Sequence, residues 1–92
     1  MSEIQKTLND RNSKYGDFTH QADISQRMKD AAKSGRSWNT MPHYQKEGIE
    51  MILHKIARMV NGDPLYLDTV HDTIGYAKLI EDRHAEKVGE QH

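Results

Sequence analysis

The chain has 92 residues, 35% of them hydrophobic and 7% aromatic, which allows one domain with a small core. Its 13 basic and 14 acidic side chains nearly cancel, which argues against a nucleic acid partner, because such a partner calls for a strongly basic surface. The absence of cysteine excludes disulfides, thiolate metal sites and cysteine nucleophiles, and no apolar run approaches the roughly 18 residues of a membrane span. We therefore expect a soluble cytoplasmic protein without a membrane partner.

The first third of the chain is predicted to form two short helices, over residues 2–33. Ser2 is a candidate N-cap of the first, which is expected to end near residue 13. Gly16 can adopt a positive φ between the helices, and Asp17 or Thr19 can cap the second. A polar connector, residues 34–41, follows, and Trp38 is expected to anchor it on the core.

The second half is predicted to be a helical hairpin over residues 42–87. Pro42 suits the first turn of its first helix, Asn61-Gly62 a left-handed stop, and Asp63-Pro64 the start of the second helix. So short a linker favours antiparallel helices. The apolar positions of the first helix are Ile49, Ile52, Leu53, Ile56, Met59 and Val60. Those expected to be buried by the second are Leu67, Val70, Ile74, Ala77 and Ile80.

These elements predict an all-α protein, a single domain over residues 1–92. We expect the short N-terminal helices to pack on the antiparallel hairpin. Because the core is small, we also expect the protein to associate with itself as a dimer or higher oligomer.

Four carboxylates on the hairpin are candidate metal ligands. Glu47 and Glu50 share one face of the first hairpin helix, and Asp68 and Asp72 share one face of the second. Helical-wheel geometry sets both faces opposite the apolar positions, so the simplest interpretation is a solvated surface. The alternative is a polar site completed at a helix or subunit junction. Gly75 favours it, because glycine in mid-helix costs about 1 kcal/mol relative to alanine unless something approaches closely.

Basic and aromatic residues near these carboxylates are candidate ligand-binding groups. Lys55 and Arg58 lie three residues apart and carry donors suited to phosphate. Tyr15 and Tyr76 can stack on a base or hydrogen-bond a phosphate, although half-buried tyrosines often serve only in packing. With Gly75, these residues form the predicted ligand site.

Three motifs stand out along the chain. The first is Arg11-x-x-x-Tyr15-Gly16-Asp17-Phe18. The second combines Lys55-x-x-Arg58 with Gly62-Asp63-Pro64, and the third is Asp68-x-x-x-Asp72-x-x-Gly75-Tyr76. Together they resemble a family of small uncharacterised proteins encoded by bacteriophages and prophages. The resemblance covers roughly residues 8–80 and implies expression in a bacterial host cytoplasm.

The carboxylates also resemble, more distantly, the all-α nucleotide pyrophosphohydrolases of the MazG type. Those enzymes hold Mg²⁺ with Glu-x-x-Glu on one helix and Glu-x-x-Asp on the next. Glu47-x-x-Glu50 matches the first half. Asp68-x-x-x-Asp72 departs from the second half by one extra residue and by Asp in place of Glu. The resemblance implies Mg²⁺ as a cofactor, whereas the departure favours nucleotide binding without turnover.

Three hypotheses of function follow. The first is a phage accessory protein for host takeover or counter-defence that binds a phosphorylated nucleotide-type ligand, cyclic nucleotide signals included. The second is a MazG-like, Mg²⁺-dependent nucleoside triphosphate pyrophosphohydrolase. The third is a protein-binding inhibitor of a host enzyme or defence complex.

Overall fold

A computed structural model describes residues 2–90, with side chains through residue 88, so residues 1, 91 and 92 of the predicted domain lie outside it. Four α-helices occur in the described range: α1 (Glu3–Tyr15), α2 (Phe18–Lys33), α3 (His43–Asn61) and α4 (Leu67–Glu90). A short 3₁₀ turn, Trp38–Thr40, lies between α2 and α3. These residues include no strand, and the prediction of an all-α protein is confirmed.

Local sequence signals explain the corner between α1 and α2. The Ser2 side chain accepts a hydrogen bond from the Gln5 amide at 3.1 Å and caps α1. Gly16 ends that helix with a φ of +78°, a conformation that side chains with a Cβ rarely adopt. The Asp17 carboxylate then accepts a hydrogen bond from the His20 amide at 3.0 Å and caps α2. The predicted positive φ and the Asp17 cap are both confirmed.

Helix α3 is the central element and packs against α1, α2 and α4. Its first turns lie beside the middle of α4, where Ile80 packs against Gly48. Farther along, Lys55 reaches the Asp72 carboxylate near the start of α4 at 3.2 Å. The two helices therefore run antiparallel. On the opposite side, Lys33 at the end of α2 lies 3.4 Å from Glu50 of α3.

The corner between α3 and α4 differs from the prediction in two respects. Gly62 has a φ of −124°, so the expected left-handed stop is wrong. Glycine is needed there because a Cβ would collide with the backbone of Lys14 and Tyr15 at the end of α1. The Asp63 carboxylate accepts a hydrogen bond from the Leu65 amide at 2.9 Å, which forms a turn and delays the start of α4 to Leu67.

The face that α4 turns toward α3 also differs from the prediction. Ile80 is half-buried, but the other four residues expected in the core are exposed: Leu67, Val70, Ile74 and Ala77. The inner face instead carries Thr69, Thr73, Tyr76 and Ile80. Because Gly48 has no side chain, Ile80 can approach α3 closely there.

The core of the chain is thin. Trp38 and Ala57 are the buried hydrophobic residues of the described part, and no large side chain in that part is fully buried. The burial of Trp38 confirms its role as the anchor of the connector. The radius of gyration is 16.0 Å, against about 12 Å for a compact domain of this length. Across the described residues, none of the helices is both long and apolar enough to span a bilayer.

Candidate functional site

The four predicted metal ligands do not gather at one place. Glu50 pairs with Lys33, Asp68 accepts a hydrogen bond from the Tyr66 hydroxyl at 3.2 Å, and Glu47 is exposed. Asp72 pairs with Lys55. Within residues 2–88, no three His, Asp or Glu side chains are arranged to hold a metal ion. Binding of Mg²⁺ by these carboxylates stays a prediction.

The predicted ligand-binding residues fall on two surfaces. Gly75 and Tyr76 line an open groove of about 500 Å³ along α4, together with His71, Asp72 and Leu79. A Cβ added to Gly75 would meet no atom within 4 Å, so the described chain makes no close approach there. At the edge of the groove, Asp72 forms an ion pair with Lys55, whose side chain is only 13% exposed. A second groove, of about 250 Å³, lies between α3 and α4 and includes Glu47.

Arg58 and Tyr15 lie on the other side of α3, where α1, α2 and α3 meet. The Arg58 guanidinium stacks on the Tyr15 ring with its central carbon 4.3 Å from the ring centroid. That of Arg11, one turn earlier on α1, lies 5.8 Å from the same centroid. The Nε atom of Arg58 is buried and has no hydrogen-bond partner, which is costly for a charged group. This junction therefore has an unused donor within it.

The pairing of α2 with α3 brings further groups to the junction. The Lys33–Glu50 ion pair joins the end of α2 to α3. The positive charge of Lys29, one turn earlier on α2, acts on His54, one turn later on α3. The Ser25 hydroxyl of α2, like Arg58 Nε of α3, is buried without a hydrogen-bond partner. The two helices therefore share one formed ion pair and also carry two unpaired buried polar groups.

We call Arg11, Lys29, His54 and Arg58, together with the Tyr15 ring, the basic cluster. Within residues 2–88, no carboxylate lies within salt-bridge distance of the Arg11, Lys29 or Arg58 side chain. Partial burial lowers the pKa of His54, and the positive charges of Arg58, Lys29, Lys55 and Arg11 lower it further. The cluster is a concentration of positive charge in a protein whose net charge is −1.

Asn61 holds the cluster's aromatic ring in place. Its side-chain amide donates hydrogen bonds to the backbone oxygens of Tyr15 and Asp17, each at 3.0 Å. The Asp63 amide also donates to the Lys14 backbone oxygen at 2.7 Å. These bonds fasten the corner between α1 and α2 to the end of α3, which positions Tyr15 beside Arg58. The fastening joins segments more than 40 residues apart.

Sequence reasoning selected Arg58 and Tyr15 but missed three members of the cluster. Arg11 enters the sequence analysis only through a motif, and Lys29 and His54 are not among its predicted site residues. Their association depends on how three helices pack, which spacing along one helix does not give. The available signal was the polar content of α3, since His54, Lys55 and Arg58 interrupt the apolar run over residues 51–60. Comparison with protein-family models, curated proteins and solved structures gives no significant match to this chain.

Proposed function

We propose that the protein binds a phosphorylated, nucleotide-type ligand, with a phosphate group at the basic cluster. The observation that carries the proposal is the Arg58 side chain, which is stacked on Tyr15, shares that ring with Arg11 and is left with a buried, unpaired Nε. An arginine held by stacking is pre-oriented for hydrogen bonds to phosphate. A dianionic group would also relieve the repulsion among Arg11, Lys29 and Arg58.

The ligand class follows from the chemistry of the groups present. Guanidinium, ammonium and imidazole groups together favour a multiply charged oxyanion over a single carboxylate. A second ring, that of Tyr66, lies 6.1 Å from the Tyr15 ring and offers an apolar surface next to the cations. Phosphate with an attached planar or sugar group matches this combination better than inorganic phosphate alone.

Isothermal titration calorimetry tests the proposal. The panel contains inorganic phosphate and nucleoside mono-, di- and triphosphates, together with cyclic nucleotides. We expect one class to bind, and Arg58→Gln to weaken its binding by at least about tenfold, because a hydrogen bond to a charged group contributes about 1.5–3 kcal/mol. Arg58→Lys should restore the charge but only part of the affinity, since lysine lacks the planar fork.

The matched control is Arg27→Gln, which makes the same change of charge on α2 at an exposed arginine already paired with Asp23. It should leave binding unchanged. The proposal fails if no ligand in the panel binds, or if Arg27→Gln weakens binding as much as Arg58→Gln does. Circular dichroism of each variant checks that the helices are retained.

The biological setting stays a proposal based on the motif resemblance. We infer that such a ligand-binding protein would act as a phage accessory protein in host takeover or counter-defence, by sequestering or sensing a nucleotide in the host cytoplasm. Pyrophosphohydrolysis with Mg²⁺ and inhibition of a host protein remain predictions. Pyrophosphate release that depends on Glu50 and Asp72 would support the former. Capture of one defined host protein, blocked by surface substitutions, would support the latter.

A further inference from the structure

The strongest feature outside the basic cluster is an apolar stripe on the outer face of α4. We call Leu67, Val70, Ile74 and Ala77 the α4 stripe. Leu67 is 74% exposed, Val70 37% and Ile74 62%, and Ala77 is exposed as well. The spacing of 3, 4 and 3 residues keeps the four side chains on one face of the helix, as in the seam of a coiled coil. No element of the described chain covers this face.

We propose that the α4 stripe binds the same stripe of a second copy of this chain, with the two α4 helices antiparallel. The 3-4-3 spacing reads the same in both directions. A two-fold axis near residue 72 therefore sets Leu67 opposite Ala77 and Val70 opposite Ile74 in both copies. Such self-complementarity is what an isologous dimer interface requires. The α4 stripe shares no residue with the basic cluster.

The direction of the pair follows from Glu81, which continues the stripe one turn after Ala77. In a parallel, in-register pair the two Glu81 carboxylates would meet at one layer and repel each other. The antiparallel pair separates these two carboxylates, so their repulsion disfavours the parallel direction.

The available area reaches what a specific dimer needs. Each α4 is about 36 Å long and would run over the first half of the other α4 and over the corner that precedes it. That corner exposes Leu65, at 88%. A contact of this length covers on the order of 600 Å² per copy, near the lower limit of specific interfaces.

Light scattering coupled to size exclusion tests the interface from micromolar to near-millimolar concentration. We expect a mass twice the 10.6 kDa of one chain at the upper end. Ile74→Glu should return the mass to that of one chain. Ile4→Glu is the matched control, because Ile4 is 73% exposed on α1 and lies outside the stripe. This control should leave the dimer intact.

Cross-linking tests the direction of the helices. The chain has no cysteine, so Leu67→Cys and Ala77→Cys each introduce a unique thiol. A short bis-maleimide should join a mixture of the two variants, seen by mass as the mixed species. It should not join either variant to itself, since the paired thiols would then be about 15 Å apart along the helix.

A monomeric wild-type chain over the whole concentration range would overturn the proposal. So would a dimer that survives Ile74→Glu, or Leu67→Cys that cross-links to itself in preference to Ala77→Cys. If Ile74→Glu fails to fold, the cross-linking pair decides alone, because both cysteine substitutions are small changes at exposed positions.

Discussion

Two helical glycines in this chain occupy opposite environments, and alanine at each should have opposite effects. A Cβ on Gly48 would lie 2.6 Å from Ile80 Cδ1, whereas one on Gly75 would meet nothing within 4 Å. Gly75→Ala should therefore raise the free energy of unfolding by about 1 kcal/mol, the difference in helix propensity. Gly48→Ala should lower it by about 1 kcal/mol, since overpacking costs more than the propensity gained. Urea unfolding of both variants measures the difference.

A second substitution tests whether the collision with Ile80 is what makes Gly48→Ala destabilising. In an Ile80→Ala background the colliding atoms are gone, so Gly48→Ala should become stabilising by about 1 kcal/mol. A double-mutant cycle measures this change of sign. If Gly48→Ala costs the same in both backgrounds, the contact with Ile80 is not the cause of that cost.

At the scale of the element, α1 is expected to be the least stable helix. It has no buried residue in the described chain and is fastened mainly at its end, where Asn61 binds the Tyr15 backbone. An isolated helix of 13 residues is marginal in water. Amide hydrogen exchange should therefore be fast in the first two turns of α1 and slowest in α3. The phosphorylated ligand should slow exchange around Arg11, and equal protection of α1 and α3 without ligand would contradict this expectation.

The interface between α2 and α3 should make stability depend on pH through His54. Burial and the neighbouring cations lower its pKa below the ordinary 6.5, so near that pH the unfolded chain binds more protons than the folded chain. Stability should therefore fall as the pH is lowered through about 6.5, the ordinary value for histidine, and level off below the folded-state pKa. The free energy of unfolding, measured from about pH 8 to about pH 5.5, should change less steeply with pH in His54→Gln than in the wild type.

The comparison with His54→Gln removes the contributions of the other five histidines, since the chain has six in all. His20→Gln, the same substitution at an exposed histidine of α2, controls for the effect of replacing histidine by glutamine. Sulfate keeps its charge over this range, so added sulfate should reduce the destabilisation if an anion occupies the cluster. An identical slope in the wild type and His54→Gln would show that the cations do not act on this imidazole.

The helices themselves follow from local signals, whereas the faces they bury do not. Gly16 and Asp17 define the corner between α1 and α2 because a positive φ and an N-cap are properties of a few adjacent residues. Leu67, Val70 and Ile74 give the same periodicity whether they pack within the chain or between copies. The basic cluster likewise combines Arg11, Lys29 and Arg58 from three helices. Its members meet through interhelical packing, which one sequence does not encode at short range.

At the scale of the whole molecule, the thin core and the exposed stripe both show that the single chain buries little of its apolar surface. Trp38 and Ala57 are the buried hydrophobic residues of the described chain, while Leu67 and Ile74 are largely exposed. A domain of 92 residues with so little buried apolar surface has few sources of stability within itself. Covering the stripe with a second copy would bury further apolar surface. Each Å² buried stabilises the dimer by about 25 cal/mol before the cost of association is subtracted.

This coupling predicts that thermal stability depends on protein concentration. If folding and dimerisation are linked, the midpoint of thermal unfolding should rise with concentration in the wild type, because mass action favours the dimer. In Ile74→Glu the midpoint should be lower and independent of concentration. The substitution places a charge at a site that is exposed in the monomer, so the loss reflects association rather than damage to the core. A wild-type midpoint that stays constant from micromolar to near-millimolar concentration would mean that the single chain supplies its own stability.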